Sequence, residues 1–336
     1  MRGSKEILLA TRPFAREERW RSWWHLSSTL VVLLVLIAFG TADVAWWIRL
    51  PGSVLAGLVL VRMFVLYHDQ QHGAILRGSR TANFTMSLFG LAILNPPSVW
   101  KRSHDHHHHN NSKSFGLNAG SYPLLTTDLF LAASRRERFQ YLASRHPLTI
   151  AAGYLTAFLF GMCVLPLLMN PRRHWDAGLS LLLHCGIAVW IAFGGIADLM
   201  LAVVLPSAIG SALGAYLFFA QHNFPGARLR TGADWDYTFA ALRSSSYIRM
   251  GPMMRWFTGN IGYHHIHHVN AQIPFYRLPE AMQAIEEFQS PVTTSLHPRN
   301  IMACLRLKVW DPVRDELVPA PCKTGHRPDV DGSLAA

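Results

Sequence analysis

Long uncharged runs alternate along this chain with short polar segments in which histidine is the dominant residue. Ser28 to Ile48 is one such run, broken mainly by Gly40 and Asp43, and Pro51 to Tyr67 is a second that leads straight into a histidine cluster. Leu148 to Met169, Leu179 to Gly195 and Leu199 to Ala220 follow. Each approaches or reaches the roughly 20 apolar residues that a helix needs to cross a bilayer. Half of the residues are hydrophobic and 15% are charged, against roughly 25% charged in an ordinary soluble domain. The pattern predicts an all-α integral membrane protein.

Charge placement orients the spans. Lys101, Arg102, Arg135, Arg136, Arg138 and Arg145 lie between the second and third runs, and Arg228, Arg230, Arg243, Arg249 and Arg255 follow the last. Both regions are therefore expected on the cytoplasmic side. An even number of crossings must then separate them, yet three apolar runs lie between. Leu148 to Met169, with Gly153, Gly161 and Pro166 and a basic loop at Arg172 and Arg173 behind it, is expected to dip in and return. Phe84 to Pro97 is too short to span and ends Asn-Pro-Pro, so a re-entrant or interfacial segment is expected there. The reading is four transmembrane helices, six being the alternative, with a cytosolic helical cap.

One membrane domain is expected over residues 28–285. Residues 1–27 form a cytosolic amphipathic segment with Trp20, Trp23 and Trp24 at headgroup level. They carry no pattern of a cleavable signal peptide. Residues 286–336 form a cytosolic tail, partly disordered from about Pro312. The net charge of +11 suits a face resting on anionic lipid. The basic residues flank apolar runs and form no recognisable nucleic-acid module, so no nucleic-acid partner is expected. Cys163, Cys185, Cys304 and Cys322 show neither a disulfide framework nor a thiolate site.

The chemistry lies in three histidine boxes: His68-Asp-Gln-Gln-His72, His104-Asp-His-His107-His108 and His264-His-Ile-His267-His268. The first has imidazoles at i and i+4, and the others at i, i+3 and i+4, offsets that share one helix face. They hold most of the chain's 18 histidines. Solvation and core packing do not concentrate histidine in this way, whereas a metal centre does. Imidazole suits iron, zinc, copper or nickel. The strict offsets supply His68, His72, His104, His107, His108, His264, His267 and His268, too many for one ion and suited to two. His222, where the last apolar run re-enters the cytosol, is a ninth candidate. A metal pair with few carboxylates fits iron held for oxygen activation, since zinc hydrolases more often use three protein ligands and an open position. Asp69 and Asp105 sit beside candidate ligands and are read either as orienting partners or as ordinary loop solvation. Trp100, Trp256 and Phe257 are read as anchoring or packing residues. His184, inside an apolar run, is read as a satisfied interior histidine.

Tyr67-His-Asp-Gln-Gln-His72-Gly, Trp100-Lys-Arg-Ser-His-Asp-His-His-His108 and Gly259-Asn-Ile-Gly-Tyr-His-His-Ile-His-His268, then Ile273-Pro-Phe-Tyr-Arg-Leu-Pro279, resemble the membrane fatty acid desaturases. Ala220-Gln-His-Asn-Phe-Pro225, Asp234-Trp-Asp236 and Ser244-Ser-Ser246 match the family's pattern between boxes two and three. The resemblance covers roughly residues 28–285. Gln70-Gln71 departs from the Cys-Gly often found before the second histidine of the first box. The resemblance implies two non-haem iron ions at the cytosolic border of a bacterial inner membrane, held by the eight box histidines and His222. His106, His109 and His265 fall at variable positions and are expected to face solvent or support the ligands. O2 and two electrons would insert a double bond into an acyl chain carried on a lipid, coenzyme A or a carrier protein.

No dinucleotide fingerprint, haem attachment motif or iron–sulfur cysteine set is present, so an external ferredoxin or cytochrome-type donor is implied. Arg135, Arg136 and Arg138 are the expected dock for it. Two alternatives remain: a hydroxylase or ketolase of a lipid, alkane or carotenoid on the same scaffold, and a histidine-rich membrane metal-binding protein.

Overall fold

The structure is a computed structural model and describes residues 2–113 and 122–321. It is mostly helical, with two short two-stranded ribbons. Among the described residues, four helices are long and apolar enough to cross a membrane: α2 (Arg19–Phe39), α3 (Trp46–Gln71), α10 (Trp175–Ala192) and α11 (Ile196–His222). Helix α1 (Ser4–Thr11) precedes them. Between α3 and α10 lie α4 (Arg80–Ala92), α5 (Pro97–Asn110), α6 (Thr127–Ala132), α7 (Arg135–Ser144), α8 (Pro147–Ala151) and α9 (Tyr154–Met169). After α11 come α12 (Tyr237–Arg243), α13 (Pro252–Phe257), α14 (His264–Val269), α15 (Leu278–Ala284) and α16 (Pro298–Arg306).

Span α3 is the central one. Met63, Leu66 and Tyr67 are fully buried, whereas α2 and α10 turn Val31, Leu34, Val35, Leu182 and Trp190 outward. Outward apolar side chains would be a defect in water and are what a lipid-facing helix needs. Helix α3 crosses α11 closely. A Cβ on Gly57 would stand 2.7 Å from the Ile209 Cβ, and one on Gly210 3.1 Å from the Gly57 carbonyl. Small residues at such a crossing let the backbones approach. In both α9 and α11 a π-helical stretch (Tyr154–Val164 and Met200–Val204) ends just before a proline, Pro166 or Pro206. Proline has no N–H for the i→i−4 ladder, and the wider turns lie on its N-terminal side.

Two re-entrant segments complete the membrane layer. On α8, Ile150 packs against Ala215 and Phe219, and Gly153 then meets Ser211, deeper along α11. The chain turns there. Tyr154 bonds to His184, Cys163 to Ser180, and Leu167 packs on Gly178, each partner nearer the Trp175 end of α10. This is the dip and return expected of Leu148 to Met169. Helix α4 dips likewise. Ser180 donates to the Leu91 carbonyl, His184 Nδ1 to that of Ala92, and Cys163 Sγ to that of Leu94, so the end of α4 lies well inside the layer. Irregular backbone at that depth is tolerated because protein groups satisfy it. The expectation of a satisfied His184 holds.

The cap forms over the ends of α3 and α11. Ser98 at the start of α5 bonds to Asp176 on α10. Helix α1 lies over the cap, with Thr11 accepting from Asn270 and Ser4 donating to Asp236. Strand β1 (Tyr247–Arg249) pairs in parallel with β2 (Thr293–Ser295). The segment after Pro312, expected to be loose, includes a strand: β3 (Val309–Asp311) pairs antiparallel with β4 (Glu316–Val318). Trp310 and Leu317 there join the main core. The rest of the expected loose tail, residues 322–336, lies outside the described residues. At the far end of the spans Arg49 pairs with Asp198 at 2.6 Å.

Candidate metal centre

Four elements each bring histidines to one point. The last turn of α3 carries His68, with His72 as its cap. Helix α5 starts on Pro97, whose fixed φ suits a first helical position. It turns His104, His107 and His108 inward. Helix α14 gives His264, His267 and His268, and α11 ends on His222. The structure brings all nine together in two groups whose candidate ligand atoms lie within 4.8 Å of one another. His68, His72, His104, His108 and His267 form one, and His107, His222, His264 and His268 the other. Among the described residues neither group contains a carboxylate or thiol.

The division follows helix geometry. In every box the i/i+4 pair shares a group, and in boxes two and three the i+3 histidine belongs to the other group. Residues i+3 and i+4 point about 100° apart around a helix of 3.6 residues per turn, so one box straddles two sites. Neighbouring Nε2 atoms stand 2.9 Å apart for His107 and His222, 3.0 Å for His264 with His222 and with His268, and 3.1 Å for His108 with His104 and with His267. Nitrogens about 2.1 Å from a shared ion and at right angles would be about 3 Å apart. Burial first, and then the neighbouring imidazoles, hold His104, His107, His108, His264, His267 and His268 well below the ordinary histidine pKa. Neutral imidazole is the ligating form. The Nδ1 atoms of His104, His108, His264 and His267 are buried without a partner among the described residues. The inward Nε2 atoms of these rings meet only other imidazole nitrogens, and His72 Nε2 has no partner among the described residues, an arrangement that is costly unless an ion engages them. The residues fit two ions.

Supporting contacts fix some rings. Asp69 Oδ1 is 3.1 Å from His68 Nδ1, and Ser244 O is 3.2 Å from His222 Nδ1, which leaves both Nε2 atoms facing inward. Asp105 does not act this way: it pairs with Lys101 at the surface, 3.2 Å away. His106 and His109 are exposed, and His265 is buried with Nε2 3.3 Å from Phe288 O, so none joins either group. Trp100 fulfils one of its two expected roles, packing, and not membrane anchoring. It is buried and stacks on His104, centroids 4.4 Å apart and planes at 16°. Nothing in the sequence distinguished it from other tryptophans near a box. Trp256 is half-exposed beneath the Arg62 guanidinium, and Phe257 is buried in the core.

A cavity of about 630 Å³ begins at His104 and Trp100. Phe64, Ile93, Phe158, Met162 and Phe218 wall it, and Gly214 of α11, with nothing within 4 Å of where a Cβ would stand, leaves it open. The lining is predominantly apolar and lies between membrane helices, a fit for a hydrocarbon chain.

A family model described as "Fatty acid desaturase" matches residues 44–299. A protein of Bacillus subtilis (strain 168) named "Fatty acid desaturase" is 27% identical over 319 residues, covering 91% of this chain and 88% of that protein. A Sorghum bicolor protein named "Probable fatty acid desaturase DES1" is 26% identical over 282 residues, 79% of this chain and 70% of its own length.

Proposed function

Because this chain belongs to the fatty acid desaturase family, we propose that it inserts a double bond into an acyl chain lying in the cavity below His104. It is a membrane protein of an oxidoreductase family, and the carrying observation is nine histidines in two groups, with His104 in the wall of an apolar cavity. The reaction we assign takes one saturated –CH2–CH2– unit, O2, two electrons and two protons to –CH=CH– and two water molecules. Two iron ions held by His68, His72, His104, His108 and His267 and by His107, His222, His264 and His268 would supply the oxidising power.

The chain's own residues do the rest. Phe64, Phe158, Met162 and Phe218 hold the hydrocarbon and exclude water from it. Trp100 and Asp69 fix His104 and His68, so that the oxidising centre stays in register with the bound chain. The electrons would come from an external ferredoxin- or cytochrome-type carrier, and the histidine side would face the cytoplasm of a bacterial inner membrane. The acyl carrier is a lipid, coenzyme A or a carrier protein. The metal-carrier alternative loses support, since Asp198 is spent on Arg49 at the opposite end of the spans.

The test is iron-loaded protein in lipid nanodiscs with a reduced ferredoxin and a saturated acyl substrate. One double bond per O2 consumed is expected. A hydroxylated product would move the assignment to the hydroxylase reading.

A further inference from the structure

Charge alone made Arg135, Arg136 and Arg138 a dock for an acidic electron carrier, but an outward aromatic ring stands among them on the helix. On α7, Arg135 and Arg136 are exposed and lie four and three residues before Phe139, which puts the three side chains on one helix face. Phe139 is 74% exposed. Leu129 and Leu131 on α6 and Leu148 on α8 are exposed beside it in the chain, Leu148 at 72%. Among the described residues neither arginine has an acidic partner. Helix α8, which follows α7 directly, is also the arm that descends into the membrane layer. Two cations beside an outward aromatic ring on one helix face suit a lipid surface better than a soluble protein, which would leave Phe139 in water.

The same helices reach the cavity. Ser144, the last residue of α7, and Thr149 on α8 line it together with Tyr122 and Pro123. The basic-apolar face and this part of the cavity wall therefore belong to one short stretch of chain.

We propose that α7 and α8 form a docking site for an anionic phospholipid, whose phosphate is received by Arg135 and Arg136 and whose acyl chain enters the cavity past Ser144 and Thr149. This names the acyl carrier, and it rests on the desaturase reading only for what happens to the chain after entry. Phe139 and Leu148 lie in the acyl region beside the bound lipid, and the guanidinium groups take the phosphate oxygens as charge-assisted donors.

Native mass spectrometry of the full chain, released from nanodiscs of equimolar phosphatidylglycerol and phosphatidylcholine, tests it without depending on turnover. Phosphatidylglycerol should be retained about ten-fold over phosphatidylcholine. Arg135→Glu/Arg136→Glu should erase that preference, while the surface control Arg299→Glu/Arg306→Glu keeps it. No preference in the wild type, or a preference that survives the first double reversal, overturns the site. So does retention of an acyl-coenzyme A, abolished by that reversal, when no phosphatidylglycerol is held. Double bonds formed without any lipid retention would overturn the docking site and leave the desaturase reading standing. Retention lost on reversal, in protein that makes no double bonds, would support the site and count against desaturation.

Discussion

Asp69 ties His68 to a loop two hundred residues away in the chain. Its Oδ1 lies 3.1 Å from His68 Nδ1, and its Oδ2 accepts the Phe275 backbone N–H at 2.7 Å. One carboxylate thus sets the ring of the first box and anchors the segment that follows the third. Asp69→Asn keeps the size but loses one of the two acceptors. Iron retention under a chelator challenge should fall roughly 10–100-fold. Retention at the wild-type level, measured by elemental analysis, would mean that the carboxylate does not support the site.

The five-and-four division makes a stoichiometric prediction. His107→Ala/His268→Ala removes half of the smaller group and leaves the larger one whole. Bound iron should drop from about two ions per chain to about one. His106→Ala/His109→Ala, on the exposed side of α5, should leave the count unchanged. Equal loss in both variants would contradict the division.

Gly214 faces the cavity, and a Cβ placed there would meet nothing within 4 Å. Gly214→Leu should therefore fold normally, since the helix interior favours Leu over Gly by up to about 1 kcal/mol and the side chain enters open space. It should also narrow the cavity and move the product profile to shorter chains. An unchanged profile in fatty acid analysis would show that the acyl chain does not pass this point.

Acid should destabilise the metal-free protein. Burial lowers His265 to about 4, and it holds the six box histidines on α5 and α14 well below the ordinary histidine value. Each folded-state value lies below the unfolded value of about 6.5, so the unfolded chain binds more protons as pH falls. Stability is full above about pH 6.5 and is lost as pH drops through the folded values. The His265 share amounts to about 3 kcal/mol and is gone by about pH 4. Tm of the iron-free protein in detergent should fall between pH 7.5 and pH 5, and a flat profile would contradict the neutral state of these rings.

The sequence carried the candidate ligands that the fold brings together because i, i+3 and i+4 spacing is a local property of a helix, and His222 stood out because it ends an apolar run. The dip at Leu148 to Met169 was legible from Gly153, Pro166 and the count of basic loops. The pairing of boxes into two groups was not, because it depends on how α5 and α14 face each other. Asp69 and Asp105 each follow a box histidine and look alike in sequence. Only the fold turns one towards Phe275 and leaves the other beside Lys101 in water. Trp100 was hidden for the same reason, since its stack on His104 follows from the angle of α5 against α3. The ribbon of Val309–Asp311 and Glu316–Val318 escaped notice because its short strands lie in a polar, proline-containing stretch.

The central claim is that this site puts a double bond into an acyl chain. The direct measurement is the whole-cell fatty acid profile, by mass spectrometry, of a bacterial host expressing the chain with iron and a ferredoxin system, beside His267→Ala/His268→Ala. A new double bond that appears only with the intact box is predicted, and its position gives the regiochemistry. Well-expressed, iron-loaded protein that leaves every acyl chain saturated as before, or adds a hydroxyl instead, would contradict the account.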